Sequence, residues 1–297
     1  MTPSEQTHAV ETSLRLESLS AEELAQWDEL IAPYPGRELF HTRAWLDYLA
    51  ETRGVGIRLW KIQEGARTVG YFSGGIFQKG PFRILGSPLK SWGTNSMGPI
   101  VDDTVEPADL LQLLDRLAAQ ERLAMIELEQ PNLPESALEA AGFEAVHDWT
   151  YLVALTPEDP AQMWQALSST CRNRIRKAMT SGLIAEDVDD PALVDEYYEQ
   201  FSALMRRKGV RPPFPRAYVR SLVGHLKKAD RLFALRVKDP AGRVLATGLF
   251  PHDDRTMYFW SGASWMDEHR LAPNDYLHWR AMCLAAARGL RVYNMSG

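Results

Sequence analysis

Four cationic side chains lie within six residues of one predicted helix, in a protein whose formal net charge is −6. They are Arg172, Arg174, Arg176 and Lys177. A guanidinium can bind a phosphate or a carboxylate through two parallel hydrogen bonds, so this group of cations indicates a local anionic partner. A solvated helix face whose cations complement the negative end of the helix dipole explains the same pattern. The charge pattern alone favours this second interpretation.

The helix that must position these cations is predicted over Ala161–Ser181, with Gly182 as its C-cap. Arg172 and Arg176 are four residues apart and therefore share one face. A different stripe is predicted to be buried because its apolar residues recur at every fourth position. These residues are Met163, Leu167, Cys171, Ile175 and Met179.

A chain of 297 residues with 45% hydrophobic and 24% charged residues is typical of a globular protein with two domains. Its mild acidity argues against a general nucleic-acid-binding function. Cys171 and Cys283 are too few for a disulfide framework, so free thiols in a reducing compartment are predicted. Met1–Glu11 lacks the apolar run of a signal peptide, and no stretch reaches the roughly 20 apolar residues of a membrane span. A cytoplasmic protein without an integral membrane segment is predicted.

The predicted elements fall into two similar series. Residues 1–13 are predicted to be a loose tail. The first series has helices at 21–31 and 40–52, strands at 56–63, 68–78 and 82–85, a helix at 107–122, a strand at 124–128, a helix at 134–141 and a strand at 149–155. The second has the helix at 161–181, a strand at 183–188, helices at 192–208 and 216–228, strands at 231–238, 243–251 and 256–261, a helix at 273–288 and a strand at 290–295. This order predicts two mixed α/β domains, residues 1–155 and 156–297.

Other candidate site residues lie in the second series. Trp260 and Ser261 belong to an aromatic strand, of which one face is predicted to pack in the core and the other can line an acceptor cleft. Core packing of both faces explains the same pattern and is favoured. Lys208 precedes a Pro-rich loop and can clamp a phosphate or carboxylate, although a charged helix end explains it equally well. Tyr276 and His278 on the last helix are weak candidates for a catalytic base, since a packed histidine is more common. The histidines and cysteines lack metal-ligand spacing, so no metal is predicted.

Several ordered segments resemble the FemAB-like transferases of the GNAT superfamily, which include the BioF2-like acetyltransferase domain. The resemblance extends from about Ser20 to Gly297. It is carried by Arg172-Asn173-Xaa-Ile175-Arg176-Lys177-Ala178 with Gly182-Leu183, Phe40…Trp45-Leu46, Gly98-Pro99, Arg207-Lys208-Gly209 with Phe214…Tyr218, and Pro273…Leu277…Trp279 with Ala285…Gly289…Tyr293.

The resemblance implies tandem GNAT-like domains with mixed sheets and the transfer of an acyl or aminoacyl group to an amine. Fem-type members use aminoacyl-tRNA to extend peptidoglycan precursor peptides, whereas relatives use acyl-CoA. The expected donor is therefore acyl-CoA or aminoacyl-tRNA, without a permanently bound cofactor. The expected partner is a small or nucleotide-linked amine, with a cell-envelope precursor and tRNA as candidates. The oligomeric state is not indicated.

Two features depart from the family pattern, and a third departs from the acyl-CoA signature of ordinary GNAT enzymes. The closing Tyr-Asp is Tyr293-Asn294 here, which removes a carboxylate. The chain ends at Gly297, where a GNAT-like unit normally continues, so the second domain is expected to be truncated. The turn at 267–274 lacks glycine, which favours an ordinary helix start over a CoA pyrophosphate cradle. In the cradle alternative, Asn274 caps the helix and Arg270 meets a phosphate.

The leading hypothesis is N-acyl transfer without a covalent intermediate, in which the protein orients both substrates and backbone N–H groups stabilise the oxyanion. Two alternatives remain open: a non-catalytic GNAT-like module that binds an anionic ligand, and a tRNA-binding helper. The predicted substrate-binding residues are Arg172, Arg174, Arg176, Lys177, Lys208, Trp260, Ser261 and Asn274.

Overall fold

A computed structural model describes residues 13–130 and 133–295 of the chain. The α-helices are α1 Ala21–Ala25, α2 Trp27–Ile31, α3 Arg43–Arg53, α4 Pro107–Glu121, α5 Glu135–Ala140, α6 Pro160–Ala166, α7 Ser169–Thr180, α8 Ala192–Arg207, α9 Arg216–Lys228 and α10 Pro273–Ala287. The strands are β1 Leu14–Ser18, β2 Gly56–Glu64, β3 Arg67–Lys79, β4 Phe82–Ser87, β5 Ile100–Val101, β6 Met125–Leu128, β7 Leu152–Ala154, β8 Ile184–Asp187, β9 Leu232–Lys238, β10 Val244–Pro251, β11 Thr256–Tyr258, β12 Ser261–Ser264 and β13 Val292–Asn294.

The chain divides into two compact units. The first comprises Met1–His41 and Val55–His147, and the second comprises Thr42–Gly54 and Asp148–Gly297. Helix α3 therefore belongs with the second unit, although the sequence order placed it within residues 1–155. The domain limits at 155 and 156 stay predictions. The predicted tail at 1–13 lies outside the described residues except for Ser13.

The first unit is built on a mixed sheet in the order β1-β2-β3-β4-β6, with β5 paired to β3. All pairs are antiparallel except β4 with β6, which follows the crossover helix α4. Leu110, Leu114 and Leu117 of α4 pack with Phe72 and Leu85 of the sheet. Their spacing of three and four residues explains why this face of α4 is buried.

The described residues of the second unit form two sheets. One is antiparallel in the order β12-β10-β9-β8, and the other has the order β11-β13-β7, with β11 and β13 parallel. The apolar face of α10 packs on this framework through Leu277, Ala281 and Ala285, which are fully or almost fully buried. These residues are four apart, so one side of α10 faces the sheet.

Helix α3 packs against α9 within the second unit. The guanidinium of Arg53 lies 5.0 Å from the ring centroid of Tyr218, and His225 Nε2 lies 2.8 Å from Glu51 Oε2. Among the described residues, no helix is both long and apolar enough to cross a membrane.

The predicted mixed α/β class is confirmed, whereas three predicted elements are divided. The helix over 21–31 is interrupted at Gln26, and the strand over 256–261 becomes β11 and β12. The helix over 161–181 is broken at Leu167, whose backbone is extended, because Ser168 caps α7 by accepting a hydrogen bond from Cys171 N at 3.2 Å. Strand β1 was not predicted.

The break before α7 also changes the predicted buried stripe. Met163 and Ile175 are buried, Leu167 and Cys171 are half-buried, and Met179 is 53% exposed. The prediction from the even spacing assumed one continuous helix. Because the chain is interrupted at Leu167, the buried positions of α6 do not continue at the same spacing into α7. Ala178, three residues after Ile175, completes the buried face of α7.

Candidate functional site

A cavity of about 570 Å³ lies at the N-terminus of α10. We refer to it as the helix-start cavity. It is lined by Arg174, Lys177, His269, Arg270, Ala272, Pro273, Asn274 and Asp275. The cavity therefore brings together α7 and the start of α10, which are almost 100 residues apart in the sequence.

The start of α10 is open to an anion. Ala272 is the N-cap residue, and no side chain caps the first turn. The φ angle of Ala272 is +54°, in the left-handed region that usually requires glycine. Pro273 follows as the first helical residue, where its missing N–H is not needed. The backbone N–H groups that follow are oriented as in the phosphate-binding helix starts of other proteins.

The charges around this opening favour an anionic ligand. The lining contains three cations, which are Arg174, Lys177 and Arg270. Its acidic residue is Asp275. Arg174 Nη1 lies 3.7 Å from Asp275 Oδ1, and the Arg174 side chain is 62% exposed. This pair is long and solvated, so Arg174 can turn towards a phosphate at little cost.

The other two predicted cations of α7 have partners within the protein. Arg172 Nη1 donates to the carbonyl oxygens of Gln165 and Leu167 at the end of α6. The guanidinium of Arg176 lies 5.3 Å from the ring centroid of Trp164 and donates to Asn173 Oδ1 at 3.1 Å. Arg172 and Arg176 therefore hold α6 against α7, while Arg174 and Lys177 line the cavity.

Asn274 does not cap α10 but connects it to β12. Its Nδ2 donates to Ser264 Oγ at 2.9 Å, and His269 Nε2 lies 2.9 Å from the same oxygen. Ser264 is buried. This cluster fixes the loop that carries Arg270 to the sheet beneath it.

The sheets of the second unit separate beside this cluster. Phe259 N donates to Asn294 O of β13 at 2.8 Å, whereas Trp260 N donates to Leu249 O of β10 at 3.2 Å. Two consecutive amides thus belong to different sheets. Beyond this point β12 pairs with β10 alone among the described strands, so its outer edge has no strand partner there.

Trp260 and Ser261 lie at the point of separation. The Trp260 ring is 5.2 Å from Phe214, which stacks on Phe201 at 5.1 Å. Ser261 Oγ shares a hydrogen bond of 2.6 Å with the buried Tyr197 hydroxyl. Both predicted residues are half-buried. They can therefore form one wall of a cleft and pack against the protein at the same time.

His278 contacts aromatic side chains on three sides. Its Nδ1 lies 2.7 Å from the Tyr293 hydroxyl, and its ring centroid lies 4.8 Å from that of Phe259 and 5.7 Å from that of Phe250. Burial lowers the pKa of His278 to about 4 and raises the pKa of Tyr293. At neutral pH the imidazole is therefore uncharged and a weak base. Tyr276 is half-buried against the core of the same unit.

Lys208 is exposed at the end of α8 and does not line the helix-start cavity. Conversely, the cavity includes His269 and Asp275, which the sequence did not single out. Their signal is weak, because a histidine in a turn and an aspartate in a first helical turn are common. His269 and Asp275 line the same cavity as Arg174 and Lys177 because α7 packs beside the start of α10.

The comparisons with known proteins agree with this architecture. Residues 165–297 match the family model described as Acetyltransferase (GNAT) domain. The matched part of the chain contains α7, the helix-start cavity and the sheet separation. No curated protein matches the sequence.

Solved structures extend the similarity to the whole fold. A structure of FemX is 14% identical, covers 95% of this chain and 88% of its own, and has a TM-score of 0.68. A tandem GNAT protein from the clavulanic acid biosynthesis pathway is 12% identical, with coverage of 95% and 88% and a TM-score of 0.55. L-PGS from Bacillus licheniformis is 12% identical, with coverage of 94% and 79% and a TM-score of 0.50. The resemblance to FemAB-like GNAT proteins and the tandem GNAT fold are confirmed.

Proposed function

We propose that this protein is an N-acyltransferase that uses an acyl-CoA donor and an amine acceptor. The helix-start cavity carries this proposal, because it combines an uncapped helix N-terminus with three cations. The positive end of the helix dipole and the free N–H groups favour a pyrophosphate, and Arg174 and Lys177 add charge-assisted hydrogen bonds. Within an acidic protein, this local excess of positive charge needs a specific reason.

The separation between β12 and β13 supports a place for the acyl group. From the helix-start cavity, Asn274 and Ser264 lead to β12, whose outer edge lacks a strand partner among the described residues. A backbone N–H on that edge can donate to the thioester carbonyl and stabilise the negative charge that develops on its oxygen. Trp260 and Ser261 then lie on the side from which an acceptor approaches.

The proposed reaction needs orientation more than a strong base. The amine nitrogen forms a bond to the carbonyl carbon, the C–S bond breaks, and the amine proton passes to the thiolate or to water. Holding the two reactants together supplies much of the rate enhancement. The neutral, desolvated His278 has too low a pKa to serve as an efficient base near pH 7.

The proposal also covers the donor, the acceptor and the location of the protein. The tandem GNAT protein from the clavulanic acid biosynthesis pathway is named as a form without AcCoA; since AcCoA is the ligand considered for that protein, we place acyl-CoA before aminoacyl-tRNA as the donor here. The sequence resemblance to Fem-type enzymes favours an amine on a cell-envelope precursor as the acceptor and a cytoplasmic location.

The test is a comparison of two double variants of the same helix. We expect Arg174→Ala/Lys177→Ala to weaken acetyl-CoA binding by about tenfold or more, because two charge-assisted contacts are lost. Arg172→Ala/Arg176→Ala removes the same charge from the other face of α7 and is the matched control. It should lower thermal stability while it leaves the Kd within about twofold. Isothermal titration calorimetry gives the Kd of each variant, and a thermal melt gives its stability.

Each alternative gives a different result. If the wild-type protein binds no acetyl-CoA but binds aminoacyl-tRNA with an affinity that falls steeply with salt, the tRNA alternative replaces the proposal. If acetyl-CoA binds but radiolabelled acetyl groups reach no member of a broad amine panel, a binding module replaces the enzyme. Equal loss of binding in both double variants would contradict the assignment of the cavity.

A further inference from the structure

A second cavity, of about 320 Å³, lies at the C-terminal end of α10. We refer to it as the distal cavity. It is bounded by the end of α9, the turn between β10 and β11, and the residues after α10. Helix α10 has 15 residues, which places the two cavities about 20 Å apart. The proposed acyl transfer uses none of the titratable residues that line the distal cavity: Asp230, Arg231, His252, Asp253, Asp254 and Arg288.

His252, one of the residues that line this cavity, has an unused hydrogen-bond acceptor. Its side chain is almost fully buried, with a residue exposure of 2%, and its ring stacks on Phe233 with centroids 4.5 Å apart. Nδ1 lies 3.1 Å from the Asp253 carbonyl oxygen, so Nδ1 carries the proton and donates it. Nε2 is buried and has no hydrogen-bond partner among the described residues. Buried polar atoms of this kind are normally satisfied, so Nε2 indicates a missing donor.

Two arginines supply hydrogen-bond donors with positive charge at this cavity. Arg231 Nη1 lies 2.5 Å from Asp254 Oδ1, and Arg288 pairs with Asp230. The side chains of Asp254 and Asp230 are 63% and 78% exposed. Such solvated pairs contribute little free energy, so a ligand carboxylate can displace either aspartate. The guanidinium of Arg288 also lies 5.7 Å from the Phe233 ring centroid, which holds it at the cavity.

The charge balance of the lining selects the class of ligand. Two arginines face three aspartates, while burial lowers the pKa of His252 and keeps its imidazole neutral. A compact dianion such as phosphate would meet a net negative lining. A zwitterion instead matches both signs, because its carboxylate binds the arginines and its ammonium group lies near the carboxylates.

Asp253 makes the turn rigid. Its Oδ1 accepts hydrogen bonds from Arg255 N and Thr256 N, at 2.8 and 2.7 Å, and its Oδ2 accepts one from the Tyr258 hydroxyl at 2.9 Å. The turn that carries His252 is therefore preorganised, which lowers the entropic cost of ligand binding.

We propose that the distal cavity binds a free α-amino acid. The carboxylate of the ligand binds Arg231 and Arg288, and its ammonium group donates a hydrogen bond to His252 Nε2. The cavity volume leaves room for a side chain. This site is independent of the donor and the acceptor of the proposed acyl transfer.

Binding of the standard L-α-amino acids to the full chain tests this proposal. Each is added at about 10 mM in a thermal-shift assay, since an excess over Kd raises the melting temperature of the form that binds it. Those that raise it are titrated by calorimetry. We expect at least one to bind, and propionate, ethylamine and inorganic phosphate to bind at least about tenfold more weakly because each lacks one of the two charged groups.

Three variants locate the binding. Arg288→Gln and His252→Phe should each raise the Kd of the amino acid by about tenfold, since each removes one charge-assisted contact. Lys228→Gln removes a nearby charge outside the lining and should leave the affinity unchanged. If His252→Phe does not fold, Arg288→Gln at the surface still decides. The proposal is overturned if no amino acid binds the folded wild type, if phosphate binds more tightly than every amino acid, or if Arg288→Gln binds as the wild type does.

Discussion

At the scale of single residues, the four cations of α7 differ in what surrounds them. Arg172 and Arg176 contact α6, whereas Arg174 and Lys177 line the helix-start cavity. The sequence predicted a cationic cluster and a shared face for Arg172 and Arg176. It could not predict which face meets a ligand, because that depends on the break at Leu167 that turns Trp164 towards Arg176.

His278 makes a prediction about pH and stability. Its pKa is about 4 in the folded protein, against 6.5 for an ordinary histidine. Because the unfolded chain binds this proton more readily, the contribution of His278 is fully present above pH 6.5 and is lost as the pH falls towards 4. A shift of this size corresponds to about 2 kcal/mol between pH 7 and pH 5.

A non-titrating variant isolates this contribution. His278→Gln can still accept a hydrogen bond from the Tyr293 hydroxyl but binds no proton. We expect urea unfolding to show a loss between pH 7 and pH 5 that is smaller in His278→Gln than in the wild type by about 2 kcal/mol. An identical loss in both proteins would mean that His278 keeps an ordinary pKa.

At the scale of elements, the start of α10 has an unusual residue at its N-cap. Ala272 adopts a φ angle of +54° without a glycine and without a capping side chain. The sequence pattern favoured an ordinary helix start because the turn at 267–274 lacks glycine. The left-handed conformation was not predictable from residue type, since the surrounding loop imposes it through Ser264, His269 and Asn274.

This conformation predicts opposite effects for one substitution at two ends of the same helix. Ala272→Gly removes the Cβ that disfavours a positive φ, so it should stabilise the protein by up to about 1 kcal/mol. Ala287→Gly, at an ordinary helical position, should destabilise it by about 0.5–1 kcal/mol. Thermal unfolding of both variants measures these two changes in stability. Destabilisation by both would indicate that Ala272 is not strained.

At the scale of the whole molecule, the second unit is discontinuous in sequence. Helix α3 precedes most of the first unit but packs on α9, where Arg53 meets Tyr218 and Glu51 meets His225. The sequence order predicted a simple boundary near residue 155. A long-range helix contact leaves no local signal, so only the tertiary structure could reveal it.

The discontinuity predicts that residues 148–297 are incomplete on their own. Without α3, the surface of α9 that it covers becomes exposed, and we expect this fragment to be less stable by at least about 2 kcal/mol than one in which residues 42–54 are joined to it by a flexible linker. Chemical denaturation of the two fragments compares them. Equal free energies of unfolding would show that α3 does not stabilise the second unit.

The sequence by itself determined the mixed α/β class, most of the element order and the FemAB-like GNAT resemblance, because these depend on local hydrophobic periodicity and on short motifs. It also indicated Arg174, Lys177 and Asn274, although it did not separate them from Arg172 and Arg176. The tertiary structure alone decided the helix-start cavity, the sheet separation at Phe259 and Trp260, and the distal cavity around His252. Each of these joins residues that are distant in sequence, and their proximity results from packing rather than from local pattern.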